Sequence, residues 1–237
     1  MSKKPQFYSA WFCPFAQRAW IALLQKQVDF DYVEIDPYDK TVEWLRINPR
    51  GLVPALRDPT SGHCVYESSV LLEYIEERFV SSDENRSLMP NEPFERAQQR
   101  LWADYISKRI VPPFYDLLMK QSETDRREAA QKIQDGIRNL FTESSETERT
   151  GVYLGGHDRL QYADLMLVPF ALRFGNILKH YRNFERYHLW LAEIEQHKAI
   201  QPTMAEDAKL IEKYQRYADN TAKSEVAEAV RKGAPLP

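Results

Sequence analysis

The first helix of this chain is predicted to begin within the sequence Trp11-Phe12-Cys13-Pro14-Phe15-Ala16-Gln17-Arg18. The stretch Gln6-Phe7-Tyr8-Ser9-Ala10 is predicted to form the first β-strand, and apolar side chains recur at helical spacing after Pro14. Because proline is favoured at the first helical position, Cys13 is predicted to lie directly before the first residue of the helix. Backbone N–H groups and the positive end of the helix dipole lie beside a side chain placed there. Both favour the thiolate, which is the reactive form of cysteine.

Two interpretations of Cys13 remain open at this level. The side chain is either a reactive thiolate or a small buried apolar group, which is the usual role of a cysteine outside a disulfide. Position 16 is alanine, so there is no Cys-x-x-Cys pair, and a one-cysteine cycle needs an external thiol. The chain's other cysteine, Cys64, lies in an apolar run with no helix start beside it and is predicted to be structural. Two cysteines are too few for a disulfide framework.

The chain divides into two regimes. Residues 1–81 follow the order β-α-β-(α)-β-β-α, which is typical of an α/β layered domain. Residues 82–93 are polar and rich in turn formers, as in a linker. From residue 94 the periodicity is helical, with a long first helix interrupted at Pro112-Pro113. A strand is considered only at residues 152–154, and residues 223–237 are expected to form a loosely held tail.

Composition excludes several functions. The chain has 237 residues, with 32 basic and 35 acidic side chains, so it has no basic excess to attract a nucleic acid. No apolar run reaches the roughly 18 residues of a membrane-spanning helix, and we expect no secretory leader. The five histidines lack metal-ligand spacing, and phosphate-binding and serine-hydrolase motifs are absent. We therefore predict no nucleic acid, membrane or metal partner.

Two further motifs suggest a binding site. The sequence Asn48-Pro49-Arg50-Gly51-Leu52-Val53-Pro54 ends in an X–Pro bond, the kind that can be cis, and a cis bond would expose the Val53 backbone to a ligand. Glu67-Ser68-Ser69 precedes an amphipathic helix predicted over residues 70–79. Ser68 is either an ordinary N-cap or, with Glu67 and the helix amides, a clamp for an α-amino-acid head group. The local pattern alone favours the cap.

Jointly, the motifs at residues 11–18, 48–54 and 66–68 resemble cytosolic glutathione transferases of the cysteine type, the omega class first and the plant lambda class next. Residues 88–93 also resemble the interdomain segment of that class. The resemblance implies a thioredoxin-like glutathione-binding domain over residues 1–81 and a linker over 82–93. It implies an all-helical domain over residues 94–237 with a hydrophobic second-substrate site, for which Trp11, Phe114, Tyr115 and Phe174 are guesses at lining residues.

The resemblance also implies roles for individual residues. Cys13 would form a mixed disulfide with glutathione, the co-substrate. Contacts with the rest of glutathione would come from Phe15 and Val53 at the cysteinyl moiety, Lys40 at the glycyl carboxylate, and Glu67 and Ser68 at the γ-glutamyl ammonium and carboxylate. The last two assignments replace the N-cap interpretation of Ser68.

The implied activity is glutathione-dependent thiol transfer or reduction, namely deglutathionylation and reduction of dehydroascorbate or glutathionyl adducts. A cysteine nucleophile suits reduction, whereas conjugation needs only a hydrogen bond to the glutathione thiolate. One alternative is a ligandin-type protein that carries hydrophobic or polyphenolic ligands with low catalytic activity. Another is a protein like the intracellular chloride channels, disfavoured because the apolar run at residues 20–24 is short. A cytoplasmic homodimer is a family expectation.

The chain departs from the family at one position. The family usually places Ser or Thr three residues before Asp164, where it opens a helix, but this chain has Gln161. Glutamine is a poor N-cap, so we expect this helix start to be weaker by about 0.5–2 kcal/mol.

Overall fold

The computed structural model describes residues 4–145, 149–174 and 184–236. Contacts divide the chain into two compact units. The first contains Met1–Pro90 together with His197–Ala205, and the second contains Asn91–Gln196 together with Glu206–Pro237. Residues 197–205, which the sequence pattern assigns to the helical domain, group with the first unit. The limits 1–81, 82–93 and 94–237 stay predictions.

The first unit is built on a four-stranded sheet of order β2-β1-β3-β4. Its strands are β1 (Gln6–Ser9), β2 (Asp31–Glu34), β3 (Ala55–Arg57) and β4 (Cys64–Tyr66). The β1–β2 pair is parallel, and the other two pairs are antiparallel. Three helices complete the unit: α1 (Pro14–Gln25), α2 (Val42–Ile47) and α3 (Ser68–Arg78). The predicted thioredoxin-like α/β order is therefore confirmed.

Strand β1 contributes buried side chains to both faces of the sheet, because successive side chains of a strand point to opposite faces. Phe7 is fully buried and meets the rings of Phe30 and Tyr32 edge-on, with centroids 5.7 and 5.9 Å away. Tyr8 packs on the other face against Trp44, at 5.4 Å. The Tyr8 face continues into the cluster where Cys13 packs, so the sheet core supports the start of α1 directly.

The returning segment is fixed to α1 by Gln17. The buried side-chain amide of Gln17 donates to Thr203 O at 3.1 Å and to Thr203 Oγ1 at 3.0 Å. Thr203 ends the 3₁₀ turn Gln201–Thr203 and is itself buried. Residues 186 positions apart in sequence thereby satisfy each other's polar groups.

A buried ion pair joins α1 to α3 and to the segment that follows. Lys26 Nζ lies 2.7 Å from Glu76 Oε2, and the two side chains are 2% and 12% exposed. Glu76 also accepts the Ser87 hydroxyl at 2.6 Å and the Leu88 N–H at 2.9 Å. Burial works against the ionised form of Glu76, but these donors prevail and lower its pKa. With Leu88 and Met89 fully buried, the end of the predicted linker is held against the first unit.

We expect Lys26→Met to lower the free energy of unfolding by about 3–5 kcal/mol, because it leaves the Glu76 carboxylate buried without its cation. Lys4→Met is a matched control, since Lys4 also lies 2.7 Å from a carboxylate, that of Asp29, but both side chains are largely exposed. Urea unfolding of both variants measures the difference. If Lys26→Met and Lys4→Met lost equal free energy of unfolding, burial would not be what makes the Lys26–Glu76 pair important.

The second unit is helical, as predicted. The helices among its described residues are α4 (Pro93–Tyr105), α5 (Val111–Met119), α6 (Glu123–Glu143), α7 (Tyr162–Ala171), α8 (Glu185–Gln196), α9 (Asp207–Ala218) and α10 (Glu225–Lys232). Helical spacing of apolar residues predicts a helix over residues 162–181; α7 ends at Ala171, and residues 175–183 lie outside the described residues. Among the residues described, no helix combines the length and apolar character needed to cross a bilayer.

The predicted break at Pro112-Pro113 takes another form. A π-helical turn, Ile106–Ile110, joins α4 to α5 ahead of the two prolines. Prolines cannot donate to carbonyls four residues earlier, and the wider turn accommodates this by pairing groups five apart, as Val111 N–H does with Ile106 O. The helical hydrogen-bond pattern therefore changes before the prolines, and the helix is not interrupted at them.

Two smaller predictions in this unit were wrong. Residues 152–154 form no strand; the 3₁₀ turn Leu154–Gly156 begins there instead, with Gly155 at φ 76°. The tail contains α10, whose N-cap Ser224 accepts the Ala227 N–H at 3.0 Å and whose C-terminus is closed by Gly233 in the left-handed conformation. Acidic residues in its first turn and basic residues in its last complement the helix dipole.

The start of α7 is organised by Asp164, which is fully buried. Its carboxylate accepts N–H groups of Leu154 at 3.0 Å, Gln161 at 2.8 Å and the Trp190 indole at 2.8 Å. Burial raises the pKa of Asp164 to about 7, against the lowering effect of these donors. Gln161 occupies the N-cap position but makes no side-chain capping bond, and its buried amide atoms have no hydrogen-bond partner within the described structure.

Gln161→Ser is expected to be more stable than Gln161→Ala by about 0.5–2 kcal/mol, because only serine can cap the first turn of α7. The two variants share the same loss of side-chain volume, so their difference isolates the cap. Denaturant unfolding measures it. No advantage for serine would show that Asp164 alone satisfies this helix start.

Candidate functional site

Cys13 is held at the N-terminus of α1. It is the N-cap residue, with extended backbone angles (φ −78°, ψ 120°), and Pro14 opens the helix. Its N–H donates to Ala10 O at 2.8 Å and its carbonyl accepts the Gln17 N–H at 3.0 Å. The side chain forms no capping hydrogen bond and is only partly buried. The sulfur is thus placed at the positive end of a helix dipole, as the sequence predicted.

Arg18 connects this helix to the start of α3. It is 2% exposed, and its guanidinium carbon lies 5.1 Å from the centre of the Phe15 ring. Its Nη1 donates to Ser68 Oγ at 3.2 Å. Arg18 closes the motif that begins at Trp11, but nothing in the sequence pattern predicted its contact with Ser68.

Val53 and Cys13 share one cluster of side chains. The Val53–Pro54 peptide bond is cis, as the resemblance implied. Val53 is 8% exposed and belongs to the core cluster that contains Tyr8, against which Cys13 packs. The cysteine and the residue before the cis bond therefore lie on the same side of the sheet core.

The start of α3 differs from the prediction that Ser68 is the N-cap. Glu67, not Ser68, is the N-cap residue, and Ser68 is the first residue of the helix. Glu67 has φ 72°, in the region that residues other than glycine rarely adopt, and its side chain makes no capping bond. Such backbone conformations concentrate at binding and active sites.

The loop of residues 48–52 is shaped by Asn48, which is 1% exposed. The Asn48 side chain accepts the Arg50 N–H at 3.1 Å and donates to Leu52 O at 2.7 Å. Gly51 adopts φ 64° and donates its N–H to Asn48 O at 2.8 Å. Three hydrogen bonds within five residues fix the loop that leads into Val53.

This loop also positions the two charged residues predicted from the resemblance. Lys40 Nζ donates to Arg50 O at 3.0 Å. A Cβ atom at Gly51 would lie 2.8 Å from Lys40 Cδ, so the glycine makes room for the lysine chain. The Arg50 guanidinium forms an ion pair with the Glu67 carboxylate. Sequence reasoning missed Arg50, since no spacing rule links it to Glu67.

Cys64 has a different environment from Cys13. It is the first residue of β4 and is partly buried. Burial raises the pKa of the Cys64 thiol, although the charge of Arg57 opposes the shift. A neutral thiol is a poor nucleophile, so the structural interpretation of Cys64 fits.

The four aromatic residues guessed to line a second-substrate site differ in their exposure. Trp11 is partly exposed and meets the Phe12 ring at 5.6 Å. Phe114, Tyr115 and Phe174 are 7%, 3% and 1% exposed within the second unit and therefore belong to its core. Across the described residues, no group of three or more His, Cys, Asp or Glu side chains could hold a metal ion.

The fold and the site define a thioredoxin-like domain with a cysteine at its first helix and a cis-proline beside it. Residues 12–78 match the family described as glutathione S-transferase, N-terminal domain. Glutathione S-transferase omega-1 of Mus musculus is 30% identical over 195 residues, which cover 80% of this chain and 75% of that protein. Probable glutathione S-transferase parC of Nicotiana tabacum is 31% identical over 212 residues, or 85% and 90% of the two chains. The chain belongs to the glutathione S-transferase family.

A solved structure gives the same result. The crystal structure of glutathione transferase Omega 3C from Trametes versicolor is 31% identical in sequence to this chain. It superposes with a TM-score of 0.78 over 94% of each chain. The resemblance to the omega class and the predicted fold are therefore confirmed, although plant relatives such as parC are similar at the same level.

Proposed function

We propose that this transferase catalyses glutathione-dependent thiol transfer with Cys13 as its nucleophile. The observation that carries the proposal is the position of Cys13 as the N-cap of α1, with a side chain not used for capping. The helix dipole favours a negative sulfur there. A thiolate can form and break disulfides, which the hydroxyl of serine or tyrosine cannot do.

The first step resolves a mixed disulfide between glutathione and a substrate thiol. The Cys13 thiolate attacks the glutathionyl sulfur, the substrate sulfur leaves with the electron pair of the old disulfide, and solvent protonates it. Cys13 is then joined to glutathione by a disulfide. Opening of a glutathionyl adduct on a carbonyl compound would use the same attack on sulfur.

The second step regenerates the enzyme. The thiolate of a second glutathione attacks the glutathionyl sulfur of the Cys13 disulfide, and the Cys13 thiolate leaves. The products are oxidised glutathione and the starting thiolate, so one disulfide is consumed and one is formed. Reduction of dehydroascorbate would draw its two electrons from two free glutathione molecules, which leave joined as oxidised glutathione.

Glutathione would be held by residues of the first unit. Ser68 and the N-terminus of α3 would bind the γ-glutamyl carboxylate, and Glu67 would bind the ammonium. The Val53 backbone and the Phe15 ring would flank the cysteinyl moiety. Lys40 would meet the glycyl carboxylate. A homodimer stays a prediction.

We expect Cys13→Ser to reduce glutathione-dependent cleavage of a small glutathionyl mixed disulfide by at least about a thousandfold, because the nucleophile is lost. Cys64→Ser is the matched control and is expected to retain full turnover. Circular dichroism of both variants verifies the fold.

The outcome separates the alternatives. Retained turnover in Cys13→Ser would exclude the one-cysteine mechanism. Failure of the wild type to turn over while it still binds glutathione would replace thiol transfer with the ligand-carrier interpretation.

Lys40→Gln is expected to raise the KM for glutathione about tenfold, because it removes one charge-assisted hydrogen bond to the glycyl carboxylate. The matched substrate is glutathione esterified at the glycyl carboxylate, for which wild type and variant should have similar KM values. Steady-state kinetics with both substrates provides the comparison. An equal effect on the ester would place Lys40 outside the glycyl site.

A further inference from the structure

Arg50 contacts both of the charged residues proposed to hold the ends of glutathione. Its carbonyl accepts the hydrogen bond from Lys40 Nζ at 3.0 Å, and its guanidinium is paired with the Glu67 carboxylate. Lys40 is proposed for the glycyl carboxylate and Glu67 for the γ-glutamyl ammonium. The carboxylate proposed as acceptor for the ammonium is therefore already paired with another cation.

The backbone and the side chain of Arg50 differ in their freedom to move. The backbone is held on both sides, by Asn48 Oδ1 at the N–H and by Lys40 at the carbonyl. The side chains of the ion pair are 42% and 38% exposed. Ion pairs at this exposure change an equilibrium by no more than about fivefold, so the pair can open at small cost. Rotation of the Arg50 side chain alone would free Glu67 and leave Lys40 in place.

We infer that Arg50 competes with the α-ammonium of glutathione for Glu67 and so determines how much that ammonium contributes to binding. The inference rests on the proposed function. Two cations that share one carboxylate repel each other, so the arriving ammonium takes the place of the guanidinium. The exchange is neutral in charge and leaves no carboxylate unpaired before or after binding. The return of Arg50 to Glu67 then assists release of the γ-glutamyl group.

The competition predicts a dependence on ligand chemistry that a structural role would not produce. A ligand without the α-ammonium leaves the ion pair intact, so removal of the guanidinium gives it no advantage. A ligand with the ammonium gains once the competitor is removed. The informative quantity is therefore the ratio of the two dissociation constants.

The experiment is calorimetric titration of the full chain with S-methylglutathione and with its counterpart that lacks the α-amino group. Neither ligand can exchange disulfides with Cys13. In Arg50→Gln, we expect the Kd of the des-amino ligand divided by that of S-methylglutathione to rise about two- to fivefold. Arg50→Lys, which keeps a cation, is expected to fall between wild type and Arg50→Gln.

Arg46→Gln is the matched control, because it removes an exposed arginine from nearby α2 and leaves the Arg50–Glu67 pair in place. Its Kd ratio should equal that of wild type. An unchanged or lower ratio in a folded Arg50→Gln protein would overturn the competition and leave thiol transfer untouched. If wild type binds neither ligand, the proposed glutathione site itself fails, and the inference fails with it.

Discussion

The buried side chain of Asn48 imposes the constraint on which the rest of the site depends. Its amide bonds to the backbone of Arg50 on one side and of Leu52 on the other, so the loop between α2 and β3 has one shape. That shape delivers Val53 to the cluster beside Cys13 and presents the Arg50 carbonyl to Lys40. It also directs the Arg50 side chain to Glu67. One neutral hydrogen-bonding group thus organises the loop that brings together the charged residues Lys40, Arg50 and Glu67.

Much of the fold was predictable because its signals are local. The stretch Gln6–Ala10 indicated β1, and proline after Cys13 marked the start of α1. The π-helical turn at Ile106–Ile110 was not predictable, since the prolines show that a regular helix must adapt but not where. Helix α10 was overlooked although its signals are present, with Ser224 as the cap and Gly233 as the stop. The expectation that residues near the end of a chain are loosely held had led to the prediction of a tail there, although the capping residues indicate a helix.

The site was predictable only as far as its residues lie in contiguous motifs. Cys13 and the Val53–Pro54 bond each follow from neighbours in sequence or from the family resemblance. The contacts that connect the motifs do not, because they join residues from separate elements. The hydrogen bond from Arg18 to Ser68 spans 50 positions, and the ion pair from Arg50 to Glu67 spans 17. Neither pairing has a period or spacing that a sequence reveals before the fold is known.

The contact between Gln17 and Thr203 has a consequence for how the chain is made. A ribosome releases residues in order, so most of the first unit emerges long before the turn at residues 201–203 that completes it. Until that turn arrives, the amide of Gln17 must find water or another partner, one helical turn from Cys13. The surroundings of Cys13 are thereby completed late in synthesis, after most of the helical unit has already left the ribosome.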